Sequence, residues 1–303
     1  MRVGIIGTGW VGASVAISTL HAGTVRELLL SDLNRDLAEG EAMDLAQGAP
    51  FYPTAAVRAA AVEEMAAEAD AIVISAGRGQ AGPGQSRLDL LRGNAEVARA
   101  IAAPLRGSKA VVIVLTNPVD VLTRIVTEAS GLPPPRVIGT GTMLDTARLR
   151  ERLARELRVD SRSVHAHVVG EHGDSEVVLW SCADAGGRPL RRWPDWRRDT
   201  EERIAAEVRR AAYEIIRRKG ATNHAIGLVT ASLLRSILRD ERRVLTVSRV
   251  QEGALGLRDV ALSLPTIVGA GGAETVIEPA LDEAERAALD HSVDVLRRAW
   301  ASL

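Results

Sequence analysis

The chain has 303 residues, 46% hydrophobic and 25% charged, which excludes a largely disordered polypeptide and leaves room for one or two packed domains. A formal net charge of -1 supplies no general field for nucleic acid or an anionic membrane. The single cysteine, Cys182, excludes an internal disulfide and a two-cysteine metal site.

Met1 leads directly into an apolar strand, leaving no room for a signal peptide, and no apolar stretch nears the roughly 18 to 20 residues that span a bilayer. A cytoplasmic protein is expected. Strands are expected at Val3–Ile6, Glu27–Leu30, Ala71–Ser75 and Val111–Leu115, each nearly continuous in Val, Ile or Leu. Such runs suit strands covered on both faces of a parallel sheet. Alanine-rich helical segments, such as 11–21 and 96–103, alternate with them, so the first half reads as an α/β fold with a doubly wound parallel sheet. The second half changes character. Strands are expected at 164–169 and 176–180 around a polar turn. A long helix follows over 200–219, with Ile204, Val208, Ala212 and Ile215 on one face. Antiparallel strands at 244–247 and 260–264 and a closing helix over 282–300 complete an α+β unit. The segment 188–199, with its prolines, tryptophans and arginines, reads as an irregular surface connection. A domain boundary is expected near Gly141, dividing the chain into 1–141, which binds a dinucleotide, and 142–303, which carries the catalytic groups.

The run "VGIIGTGWVG" holds Gly7, Gly9 and Gly12 between a strand and a helix. Gly7 permits a tight turn, Gly9 lets backbone approach a pyrophosphate, and Gly12 permits close packing of helix on sheet. The helix N-terminus then offers unpaired N–H groups to phosphate. Asp32 ends the second strand in "ELLLSD", where a carboxylate accepts hydrogen bonds from a ribose diol and repels a 2′-phosphate. A Rossmann-type site for NAD rather than NADP is therefore expected.

Three further segments carry chemistry. "GTGTMLDTARLR" sets Asp145 and Arg148 three residues apart at a helix start, on one face, where they form either part of a cleft or an ordinary ion pair. "HVVGEHGDSEV" places His172 between strands, where a histidine by itself is as well a surface turn residue. "GRGQAGPGQSRLDLL" is a glycine-rich loop, long enough for a lid, ending in Arg87.

Taken in order, "GTGWVG", "SRLDLLRGN", "TNPVDVLT", "GTMLDTARLR", "GEHGDSEV", "KGAT" and "VALSLPTIVG" resemble the L-lactate and malate dehydrogenases over essentially the whole chain, and the bacterial lactate branch most. The pairing of "GEHGDS" with "LDTAR" is the specific part of that resemblance. It implies that His172 is the acid/base of a 2-oxo acid reduction by NADH, and that Asp145 orients and charges its imidazole. It further implies that Arg148 binds the substrate carboxylate through two parallel hydrogen bonds, and that Arg87 polarises the carbonyl. Asn117 and Thr222 match positions lining the substrate site; Val11, Gly77, Asn117 and Thr140 match cofactor-contacting ones. No metal is implied.

In the same family one loop residue separates the activities, glutamine for lactate and arginine for malate. Here the loop is one residue longer than the family pattern. Counted from Gly77 the discriminating residue is Gln80; counted back from "PGQSR" it is Ala81, which gives a roomier pocket. A displaced loop would instead turn Arg78 inward and favour oxaloacetate. Arg150 and His165 match positions that bind fructose 1,6-bisphosphate between subunits of bacterial lactate dehydrogenases, so a homodimer or homotetramer with a bisphosphate effector is expected. The reading from another class, a non-catalytic module sensing the NADH/NAD balance, leaves His172, Asp145, Arg148 and Arg87 without purpose.

Overall fold

The computed structural model describes residues 1–78 and 87–303, the side chains of residues 87–89 excepted. In chain order the elements are β1 Arg2–Ile6, α1 Trp10–Ala22, β2 Glu27–Ser31, α2 Arg35–Gln47, β3 Ala56–Ala59, α3 Val62–Glu68, β4 Ala71–Ile74, α4 Arg87–Ala102, β5 Val111–Val114, α5 Val119–Ser130, β6 Val137–Gly139 and α6 Met143–Leu157. There follow β7 Val164–His165, β8 Val168–Val169, β9 Val177–Val178, β10 Asp184–Ala185, β11 Arg188–Pro189, α7 Arg198–Lys219, α8 His224–Leu238, β12 Arg243–Glu252, β13 Arg258–Gly269, β14 Gly272–Val276 and α9 Glu283–Ala301.

Among the described residues a nine-stranded sheet runs in the order β14-β13-β12-β6-β5-β4-β1-β2-β3. From β3 to β6 every pair is parallel, and β12, β13 and β14 join antiparallel. The order 3-2-1-4-5-6 of the parallel part is that of a doubly wound dinucleotide fold, and the α/β class with later antiparallel strands is borne out. Val3, Ile5, Leu28, Leu29, Ile72, Val73, Val112 and Ile113 have no exposed surface. Successive residues of these strands face opposite ways, so burial of both sets requires cover on both faces, as the unbroken apolar runs demand. Two core clusters supply it, one lying mostly under α4, α5 and α9 and the other under α1 and α8. Ser248 of β12 pairs with Gly139 of β6, so strands from either side of position 141 share one sheet.

Two readings of the second half need correction. Residues 164–169 are not one strand: β7 pairs with β10, and β8 pairs with β9 in a different sheet. Val164, Ala166 and Val168 are all fully buried, so the alternation suited a single strand, but the chain changes partners at 166–167. Residues 188–199 are also more than a surface connection. Leu190 is fully buried, and Trp193 and Trp196 pack on the cluster around α6 and α7, with the Trp180 and Trp196 ring centroids 6.1 Å apart. The polar spacing concealed an apolar anchor. The closing helix starts as expected, with Asp282 and Glu285 forming a reciprocal capping box. No helix among the described residues is long and apolar enough to cross a membrane.

α1, which follows the glycine turn, is fixed by α8 across a close contact: a Cβ at Gly227 would lie 2.5 Å from the Ser14 carbonyl oxygen. Gly227→Ala is expected to lower stability by about 1–3 kcal/mol. Gly40→Ala, on exposed α2 with no atom near its missing Cβ, is expected to raise it by about 0.5–1 kcal/mol. Urea unfolding of the two variants checks both signs.

Candidate active site

The glycine motif occupies the carboxyl end of β1. Gly7 has φ +97°, and a Cβ there would lie 2.5 Å from the Ala76 backbone nitrogen. A Cβ on Gly12 would lie 1.9 Å from the Gly7 carbonyl oxygen, whereas the space outside Gly9 is open. Gly9 caps α1 without a side-chain hydrogen bond, so the first-turn N–H groups have no side chain competing for them. Asp32, at the end of β2, accepts from Thr8 N–H at 2.8 Å and Asn34 N–H at 3.0 Å, which holds its carboxylate beside the glycine turn. Gly77, Asn117 and Thr140 follow β4, β5 and β6, and Asn94 ties two of these turns together by accepting from Arg78 N–H at 2.7 Å and donating to the Asn117 carbonyl at 2.9 Å. Val11 lies in the first turn of α1 and packs partly on the core. All these groups gather at the carboxyl ends of the parallel strands, the edge where doubly wound sheets bind ligands. Open space over Gly9, an uncapped helix N-terminus and an acid on the second strand together fit a dinucleotide.

The reactive groups meet on a cavity of about 660 Å³, lined by Asn117, Asp145, Arg148 and His172 among others. Asp145 lies in the first turn of α6 and is 2% exposed. One oxygen, Oδ2, is 2.6 Å from His172 Nδ1, and the other, Oδ1, accepts from Arg148 Nη1 at 2.8 Å. One carboxylate thus joins the imidazole to the guanidinium, and among the described residues the remaining edges of both have no other partner. The His172 loop is held at its base by a two-hydrogen-bond bridge between Gly170, at φ +85°, and Ser263 of β13. Its centre is fixed by His172 N–H donating to Asp120 Oδ2 at 2.7 Å.

Burial disfavours charge on His172, but the attraction and hydrogen bond of Asp145, helped by Asp120 and Glu176, outweigh it and raise the imidazole to about 9. Burial likewise opposes charge on Asp145, and His172 and Arg148 together hold its carboxyl below the usual range. The pair is therefore an imidazolium beside a carboxylate at neutral pH. Burial raises Asp120 to about 6, partly offset by the N–H it accepts.

Of the other sequence candidates, Gln80 and Ala81 lie outside the described residues, and Arg87 opens α4. Thr222 sits between α7 and α8, outside the cavity lining. Arg78 is also outside that lining; its side chain lies against Gly93 of α4. Arg150 donates to the Ala166 carbonyl at 3.3 Å, and burial with the nearby charge of Arg243 pulls its guanidinium downward. His165, exposed on β7, and Arg150 both act on His167, which burial and these charges depress to about 4. Two guanidiniums, Arg150 and Arg243, thus lie close enough to influence each other here, with Asp184 the opposing acid at His167. No cluster of three potential metal ligands occurs among the described residues. Four acids of the cavity lining, Asp120, Glu171, Asp174 and Glu176, went unremarked in the sequence. Asp120 is hidden in a helix start that suits any aspartate, and Glu176 stands beside two valines in what reads as an ordinary half-buried strand.

Known proteins of one family match the chain over essentially its whole length. Residues 1–139 match the NAD binding domain model of the lactate/malate dehydrogenases, and residues 142–302 match their alpha/beta C-terminal domain model. An L-lactate dehydrogenase of Thermus aquaticus is 46% identical, with 100% of this chain and 99% of that protein aligned. One from Kosmotoga olearia is 42% identical over 100% and 96%. The crystal structure of the minor L-lactate dehydrogenase from Enterococcus mundtii superposes with a TM-score of 0.96 at 39% identity, covering 100% of this chain and 98% of the other. The chain belongs to the lactate/malate dehydrogenase family, NAD-dependent oxidoreductases.

Proposed function

We propose that the protein is an L-lactate dehydrogenase, interconverting pyruvate and L-lactate. The observation that carries this reading is the single Asp145 carboxylate joining His172 and Arg148 on one cavity wall. NADH, held by Gly7, Gly9, Val11, Gly12, Asp32, Gly77, Asn117 and Thr140, supplies the hydride when bound. Arg148, tied to Asp145 through Nη1 only, offers its other edge to the substrate carboxylate. His172, with Nδ1 bound to Asp145, presents Nε2 to the carbonyl oxygen, donating its proton on reduction and recovering it on oxidation. Arg87 assists by stabilising charge on that oxygen, with Asn117 flanking the substrate; the role of Thr222, which lies outside the cavity lining, rests on the family resemblance alone. Gln80 is taken as the discriminating residue. Arg78 lies against Gly93, away from the cavity lining, so it adds no cation there for the second carboxylate of oxaloacetate, which supports pyruvate as the substrate.

The cationic surroundings of Arg150 and His165 suit a bisphosphate, and two-fold pairing of subunits in a homodimer or homotetramer would double the charge around it. Fructose 1,6-bisphosphate is then an activator, relieving repulsion at that face.

Four outcomes are expected. Pyruvate oxidises NADH faster than oxaloacetate or 2-oxoisocaproate, and His172→Gln loses about 10²- to 10⁴-fold in turnover while still quenching with NADH. Preference for oxaloacetate removes the lactate reading, and retained turnover removes the His172 assignment. In Asp145→Asn, the His172 C2 proton followed by NMR titrates at or below the ordinary 6.5 instead of about 9, because the carboxylate that holds the imidazolium is gone. Millimolar fructose 1,6-bisphosphate lowers the half-saturating pyruvate concentration or enlarges the oligomer by sedimentation; no change in either rejects the effector site.

A further inference from the structure

Glu176 is a cavity-lining acid that the proposed reaction leaves unused. Its residue is 5% exposed, and its Oε1 is buried with no hydrogen-bond partner among the described residues. It shares its wall with Asp145 and Arg148 of α6, His172 of the β8–β9 loop and Arg209 of α7. Arg209 is an uncommitted cation of the group: its Nε is also buried without a partner, and it forms no ion pair, among the described residues. The remaining titratable lining among the described residues is Asp120, Glu171, Asp174, Tyr213 and His291, so further carboxylates share the cavity with Glu176. Burial, reinforced by the negative charge of Asp145, raises the Glu176 carboxyl to about 8 against the pull of His172, Arg209 and Arg148.

A 2-oxo acid enters as an anion and must bring its carboxylate to Arg148. An ionised Glu176 would place a second anion in the same poorly solvated compartment and would compete for the same guanidinium. Neutral Glu176 removes the repulsion and becomes a hydrogen-bond donor.

We propose that Glu176 is a proton-linked acid of the substrate site, so that the cavity takes up a 2-oxo acid anion together with a proton on Glu176, separately from the proton carried by His172. This rests on the reading of the cavity as a 2-oxo acid site. It makes substrate binding respond to pH through two groups instead of one, each contributing a tenfold loss of affinity per pH unit above its own titration in the substrate-free enzyme.

The test uses oxamate, a pyruvate isostere that cannot be reduced, titrated calorimetrically into the full-length protein saturated with NADH, from about pH 6 to about pH 10. Buffers of different ionisation enthalpy report the protons taken up. The wild-type dissociation constant should rise toward a hundredfold per pH unit at the alkaline end, with uptake approaching two protons per oxamate. Glu176→Gln, isosteric and uncharged, should rise only tenfold per unit with uptake of one proton, and should bind oxamate more tightly than wild type at alkaline pH. Glu176→Asp, which keeps an acid, should retain the two-proton linkage. A one-proton linkage in the wild type, or the same slope in Glu176→Gln as in the wild type, overturns the proposal. Absence of oxamate binding at acid pH in the wild type, with NADH still bound, overturns the 2-oxo acid reading and this inference with it.

Discussion

The arrangement around Asp145 depends on one buried carboxylate serving two cations. An ionised acid that is 2% exposed is costly to desolvate, and removing either partner would leave a charge without compensation. His172 at 2.6 Å and Arg148 at 2.8 Å offset that cost, and the first turn of α6 adds the positive end of its dipole. The same contacts fix function. The imidazole is orientated and kept protonated, and the guanidinium is anchored by one nitrogen with its other edge left over. Stability and chemistry are thus coupled at a single group, so the positions of α6 and the His172 loop must agree to within a hydrogen bond.

The sheet enforces that agreement. α6 leaves the carboxyl end of β6, and β12 and β13 extend the same sheet to reach the Gly170–Ser263 bridge at the base of the His172 loop. Asp120, at the start of α5 after β5, reaches the loop from the other side through the His172 N–H. Three elements separated by long stretches of chain are therefore registered against one backbone scaffold. Cofactor-facing turns occupy the same edge of the sheet, which brings a dinucleotide and the acid/base loop to one mouth without a dedicated connection between them. Close contacts of Gly12 with Gly7 and of Gly227 with Ser14 leave α1 little freedom to shift, and a helix N-terminus that contacts phosphate needs that rigidity.

Much of this was legible in the residues themselves. Unbroken Val/Ile/Leu runs determine doubly covered strands, since only burial on both faces explains apolar side chains at successive positions. Gly7 and Gly12 determine a turn that no side chain permits, Gly9 leaves the space over it open, Asp32 marks the end of the second strand, and the spacing of Asp145 and Arg148 determines that they share a helix face. These are local properties, set by dihedral freedom and by helix or strand period, and they survive without knowledge of any partner. The pairing of Asp145 with a histidine 27 residues away followed from the family resemblance and not from any local period, and the tertiary structure alone decided that Arg78 lies against Gly93 of α4. It also decided that residues 164–169 divide between two sheets and that Trp193 and Trp196 lie on a core. It decided too that Glu176, an unremarkable glutamate beside two valines, stands buried within reach of the charges of Asp145, Arg148 and Arg209. Burial and long-range electrostatics arise from what the rest of the chain brings near a residue, and no period in the sequence encodes them.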